Sequence, residues 1–159
     1  MRIREFRPDD SPVLGRLFHE TIHAINARDY TPAEIAAWSP AVPPDDWVAE
    51  RARERIVFVA EDASGLLGFA ELRPRASHLD CLYTRADAQG RGIATVLLSA
   101  VEVQARSFGL AHLRTEASLT ARPFFERRGF VLLARQHVMR RGVKIVNFRM
   151  EKPLVAAGR

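Results

Sequence analysis

Cysteine is almost missing from this chain: Cys81 is the single thiol. One cysteine excludes an internal disulfide and fits a reducing, cytoplasmic compartment. Lysine is nearly as scarce, since 22 of the 24 basic residues are arginine. No apolar run approaches the ~20 residues that a membrane span needs. The start, Met1 to Phe6, carries no apolar signal region, so neither secretion nor a membrane partner is expected. Metal-ligand patterns are also lacking. His19 and His23 stand four apart, but no Glu follows His19 and no third ligand is near, so no metal is expected.

What is present suits one globular domain. The chain has 159 residues, 47% of them apolar, and a chain of that size can bury roughly 70% of its unfolded surface. The net charge is +5 and the pI about 10.3. A basic balance can mark nucleic-acid binding. Here the arginines are scattered, with pairs such as Arg127-Arg128 and Arg140-Arg141 as the longest clusters. That pattern predicts a solvated, arginine-biased surface and no nucleic-acid partner.

Along the chain, Ile3 to Arg7 alternates like a half-buried strand. Asp10-Ser11-Pro12 opens a helix expected over 10–27, with apolar residues from Val13 to Ile25 at helical spacing. Residues 29–47 hold four prolines and the aromatics Tyr30, Trp38 and Trp47. Thr31-Pro32-Ala33-Glu34 starts a short helix there, and 45–55 reads as a further charged helix. Strands follow at 56–60, 66–73 and 78–84, then a helix over 92–107 closed by Gly109. A strand at 110–117, a short helix at 120–128 and a hairpin turning at Arg141-Gly142 complete the order β-α-α-β-β-β-α-β-α-β-β. Strand, crossover helix, strand over 78–117 is a parallel unit, and hairpins flank it, so the sheet is mixed.

The polar turn Gln89-Gly90-Arg91-Gly92-Ile93-Ala94 runs directly into the 92–107 helix. Its glycines let backbone approach a ligand closely. The helix start aims unpaired N–H groups and its positive dipole end at the same place, which makes an anion site. A P-loop is excluded, because no G-x-x-x-x-G-K-[ST] occurs. A dinucleotide fingerprint is excluded too, because Gly90-x-Gly92 is followed by Thr95 and comes after four strands. The pattern that remains is Q/R-x-x-G-x-G/A.

With Leu82-Tyr83-Thr84 before that turn, and Ala121-Arg122-Pro123-Phe124-Phe125-Glu126-Arg127-Arg128-Gly129-Phe130 after it, the chain resembles the GCN5-related N-acetyltransferase (GNAT) family. The segment from Ala27 to Trp38 resembles the branch often labelled YafP-like. The resemblance implies a single-domain α/β (α+β) fold over 1–153 with a tail at 154–159. Its mixed, mostly antiparallel sheet of six to seven strands is flanked by helices and splayed between strands four and five. It implies acetyl-CoA as co-substrate and an N-acetyltransferase acting on a primary amine of a small molecule or peptide, by direct attack in a ternary complex. Backbone at Leu82, Tyr83 and Thr84 would meet the pantetheine arm, and Gln89, Gly90, Arg91, Gly92, Ile93 and Ala94 the pyrophosphate. Arg85 and Arg91 would add charge. Ser118 stands where relatives often carry an Asn that touches the cofactor. Phe125 stands where many carry a proton-donating Tyr. That last departure supports an alternative, a non-catalytic acyl-CoA-binding or regulatory module.

Alternation puts His78, Asp80, Leu82 and Thr84 on one side of strand four. His78 and Asp80 are therefore the candidates for the base, with Glu71 and Glu116 behind them. Cys81 has the wrong parity for a covalent role. The acceptor is expected to meet His23, Tyr30 and Trp38, with His137 or Asn147 from the last hairpin. That hairpin also offers an edge for a homodimer.

Overall fold

The computed structural model describes residues 1–154. The expected tail, 154–159, lies outside the described residues apart from Leu154. Seven strands form one sheet: β1 (Arg2–Glu5), β2 (Ile56–Asp62), β3 (Gly65–Arg73), β4 (His78–Thr84), β5 (His112–Ala117), β6 (Val131–Arg140) and β7 (Val143–Pro153). Their spatial order is β1-β2-β3-β4-β5-β7-β6. Only β4 and β5 are parallel.

The helices are α1 (Ser11–Ala24), α2 (Pro32–Trp38), α3 (Trp47–Arg51), α4 (Ile93–Ser107) and α5 (Arg122–Glu126). Helix α4 buries Ile93, Leu97, Leu98, Val101 and Ala105, one stripe at helical spacing. It packs with Ala70, Leu72, Leu79 and Leu113 on one face of the sheet. The opposite face is covered by Leu14 and Leu17 of α1 and Val48 of α3, over Val57, Val59 and Phe69. Phe69 is fully buried there, which stabilises the fold by about 1.5–3 kcal/mol.

Several elements are shorter than their sequence patterns. Helix α1 stops at Ala24 and a 3-10 turn over Asn26–Arg28 follows. The charged 45–55 segment holds only the five-residue α3. Helix α2 starts as read, with Thr31 and Glu34 exchanging capping bonds. Helix α4 ends at Ser107 and is closed by Gly109, where the N–H groups of Gly109 and Leu110 reach back to Arg106 and Ala105. Arg141 and Gly142 both take positive φ, the backbone a tight hairpin of right-twisted strands requires. No helix among the described residues is long and apolar enough to cross a membrane.

Candidate active site

The site begins with one extra residue in β4. Leu82 pairs with Ala70 and Cys81 with Glu71, but the next pair is Leu79 with Leu72. Asp80 is therefore unmatched, a β-bulge that breaks the two-residue alternation. Strict alternation fails here, which corrects the expected shared side. His78, Asp80, Cys81 and Tyr83 lie toward α1 and α3, whereas Leu79, Leu82 and Thr84 lie toward α4. Cys81 packs in the α1–α3 core and Leu79 in the α4 core. Tyr83 meets Phe18 and Phe69, with ring centroids 4.9 and 6.0 Å away.

Beyond the bulge, β4 and β5 separate. Only His78–Arg114 and Leu79–Thr115 are paired. A cavity of about 210 Å³ opens in the gap, walled by Leu82, Thr84, Ala94, Ser118 and Phe125 among others. The hydroxyls of Thr84 and Thr120 are buried on this wall without a partner. Such groups cost free energy unless a ligand satisfies them.

The glycine turn closes one end of this cavity. Gly90 and Gly92 have φ of 75° and 79°, and a Cβ on either would meet no protein atom within 4 Å. Gln89 turns its side chain inward, donating to the carbonyls of Thr84 at 2.8 Å and Arg85 at 3.3 Å. Thr21 Oγ1 donates to the same Thr84 carbonyl at 2.9 Å. Both lone pairs of that carbonyl are thus taken. Of the backbone groups expected along the arm, the Thr84 carbonyl is therefore already engaged within the protein. The two arginines expected to meet phosphate are engaged with acids, Arg91 with Asp62 and Arg85 with Asp87.

Sequence reasoning passed over a third arginine. Arg128 donates to Thr95 Oγ1 in the first turn of α4 and lies 3.9 Å over the ring of Phe124. No acidic residue pairs with it among the described residues. A cation beside the positive end of a helix is unfavourable alone and becomes favourable when an anion joins them. Asn26 was missed as well. It is buried and offers its amide to Ser118 Oγ at 3.4 Å, so an amide stands beside the position where relatives place one.

A second cavity, about 330 Å³, lies across the sheet gap. Trp38, Asp80, Tyr83, Glu116 and Ser118 line both cavities and form the wall between them. His78 faces the second cavity, and its Nδ1 is 2.5 Å from Asp80 Oδ1. Arg55 Nε and Arg73 Nη2 lie 2.6 and 2.7 Å from Asp80 Oδ2. Burial pushes the Asp80 carboxyl up, but the bonds from His78, Arg55 and Arg73 outweigh it. The net effect holds Asp80 well below the usual carboxylate range. A carboxylate that stable is a poor proton acceptor, so Asp80 itself does not fit the expected role of base. Burial raises the neighbouring Cys81 thiol and Tyr83 phenol well above their ordinary values. Burial thus disfavours the thiolate of Cys81, which argues against a nucleophilic role.

The acceptor-side candidates separate. Trp38 stands at the junction of both cavities. Tyr30 borders the second, but its hydroxyl donates to the Val146 carbonyl at 2.8 Å and accepts from the Leu119 N–H at 2.9 Å. Its polar end therefore ties the loop to β7 and to the end of β5. His23 borders neither cavity; it sits on the exposed side of α1, 2.7 Å from the Ser39 carbonyl. Of the three residues expected to meet the acceptor, His23 is the one that lies outside both cavities. Asn147 lines the second cavity and His137 does not. Phe125 is buried against Phe124 and Phe130.

A bulged strand, a parallel pair that splays after two residues, and a glycine turn at a helix start together define an acetyltransferase architecture. A family model described as Acetyltransferase (GNAT) domain matches residues 26–152, and the chain belongs to that family. It is 31% identical to the uncharacterized N-acetyltransferase YafP of Escherichia coli (strain K12) over 151 residues, 94% of each chain. A GCN5-related N-acetyltransferase from Rhodopseudomonas palustris superposes with a TM-score of 0.89 at 31% identity, covering 96% of this chain and 94% of that one. At the level of fold alone, a putative acetyltransferase from Salmonella typhimurium, solved with its cofactor acetyl-CoA, gives a TM-score of 0.73. It is 17% identical and covers 100% of this chain and 96% of its own.

Proposed function

We propose that the protein transfers an acetyl group from acetyl-CoA to a primary amine of a small molecule or peptide, with both bound at once. The observation that carries this reading is the pair of cavities meeting at one wall. Two separately bound molecules can touch only there. Acetyl-CoA supplies an activated acetyl thioester, and the cavity beside α4 fits it. The glycine turn leaves room for phosphates at the helix start, and the unpaired edge of β4 past Leu79 suits an extended arm. Backbone N–H groups from Gln89 to Ala94 hold the pyrophosphate and Arg128 adds charge. Thr84 and Thr120 supply hydroxyls along the arm, and Ser118 and Phe125 bound its inner end.

On the acceptor side, the amine must lose a proton before it attacks. Asp80 is ionised and can only accept a hydrogen bond, so the Nδ1 of His78 must carry the proton between them. That leaves Nε2 as the basic atom, and it takes the amine proton directly or through a water. Asp80 acts as a positioning residue. It fixes the ring tautomer and stabilises the imidazolium that forms, with Arg55 and Arg73 holding it in place. Phe125 has no proton to give, so the departing thiolate takes one from solvent.

Thiol release from acetyl-CoA over a panel of amines tests the reading, with calorimetry of CoA binding alongside. Turnover with at least one amine is the expected result. Tight CoA binding without turnover would support the regulatory module, and neither binding nor turnover would sink both.

A further inference from the structure

The second cavity carries an unbalanced set of charges. Arg51, Arg73 and Asp80 line it, and they belong to a cluster in which three cations, Arg51, Arg55 and Arg73, face two anions, Glu71 and Asp80. Arg140 also lines this cavity and has no acidic partner among the described residues. Its guanidinium donates to the neighbouring Met139 carbonyl, at 3.1 Å. Glu116 lines it as well and pairs with no cation among them. A long 3.5 Å contact from Asn147 is its side-chain bond. Two unpaired opposite charges thus share one cavity of about 330 Å³.

Their placement is ordered. Glu116 lines both cavities, so it stands at the junction where acetyl transfer takes place. Arg140 borders only the acceptor cavity, from the far end of β6. We infer that the acceptor is a zwitterion of amino-acid type, its amine held at the junction by Glu116 and its acid group held by Arg140. The excess positive charge of the arginine cluster favours the same acid group. Arg140 is exposed, so an acid group gains a pairing there that an uncharged or purely cationic amine would leave to water. Trp38, which also lines this cavity, gives the remainder of the acceptor an apolar surface. This inference rests on the acetyl-transfer reading and adds the class of acceptor to it.

Matched pairs of amine test it: phenylalanine against phenylalaninamide, and methionine against methioninamide, each at saturating acetyl-CoA. The amide has the less basic amine, so more of it is neutral and reactive at a given pH. A preference for the acid must therefore come from the protein. The acid is expected to exceed its amide in kcat/KM by at least about tenfold, the effect of one hydrogen-bonded charge. Arg140→Gln should cut that ratio by a similar factor. Glu116→Gln should raise KM for acid and amide alike, because both carry the amine. A ratio near one in the parent, or a ratio unmoved by Arg140→Gln, would overturn the inference. Turnover of propylamine or phenethylamine with none of the amino acids would do the same while leaving acetyl transfer intact. Absence of turnover with every amine would remove acetyl transfer itself, and the acceptor assignment with it.

Discussion

His78 Nδ1 and Asp80 Oδ1 lie 2.5 Å apart across the bulge of β4. Their two-residue spacing puts them on one face, the bulge makes that the face opposite Leu82 and Thr84, and the two arginines on the other oxygen of Asp80 prevent it from turning away. This pair leads to a kinetic prediction. His78→Ala should lower kcat by about 10²–10⁴-fold, the usual worth of a positioned base. Asp80→Asn should lower kcat by at least about tenfold while KM for acetyl-CoA stays within about twofold, because it acts through His78. Unchanged kcat in both variants would remove β4 as the source of the base.

Asp80 also predicts a pH dependence of stability. Its native pKa is depressed below that of the unfolded chain, about 3.9. Between the two values the unfolded chain binds the extra proton, so stability rises with pH there. The contribution is complete above the unfolded value and is lost as the pH falls toward the native one. Asp80→Asn should cost about 1–3 kcal/mol at pH 7, because it removes the charged acceptor shared by His78, Arg55 and Arg73, while Arg55 keeps Glu71 at 3.7 Å and Arg73 keeps solvent. Urea unfolding of parent and variant should show the gap narrowing below about pH 4. A gap of the same size at pH 7 and pH 3 would contradict the ion-pair account.

Gly92 separates folding from ligand binding. Its φ of 79° strains any residue with a Cβ, so Gly92→Ala should destabilise by about 1–2 kcal/mol. The added methyl meets no protein atom within 4 Å and projects where the phosphates are proposed to lie. KM for acetyl-CoA should therefore rise by at least about tenfold, which is about 1.4 kcal/mol of binding. Thermal unfolding and initial rates with acetyl-CoA varied would check the two effects independently.

Gly68 works in the opposite way. A Cβ there would sit 2.6 Å from the Tyr83 carbonyl oxygen and 3.2 Å from Leu97 Cδ1. A backbone carbonyl cannot rotate aside, so β3 and β4 must move apart. Gly68→Ala should cost about 1–3 kcal/mol, lowering Tm by about 2–4 °C per kcal/mol. Tyr83 forms part of the wall between the cavities, so acetyl-CoA affinity should fall as well. Differential scanning calorimetry with and without CoA would measure both.

Local chemistry decided much of this protein, and the sequence by itself was enough to read it. Thr31, Pro32 and Glu34 mark a helix start through their own side chains, and Gly109 ends α4 because few other residues take its backbone angles. Gly90 and Gly92 declare a close backbone approach at a helix start for the same reason. The mixed sheet followed from the alternation of hairpins with one crossover helix. What the sequence did not show depends on partners distant along the chain. No residue type announces the bulge at Asp80, which exists because β3 and β4 pair out of step. That single offset moved His78 and Asp80 to the face opposite Leu82 and Thr84. Arg55, 25 residues before Asp80, meets the carboxylate only once the segment after α3 folds against the sheet, and Arg73 only once β3 pairs with β4. Arg128 reaches α4 only because α5 folds beside it. Sequence determined where the backbone must turn and where it can bind an anion. Tertiary structure decided which charged side chains meet, because a pKa and a cavity wall are properties of neighbours in space.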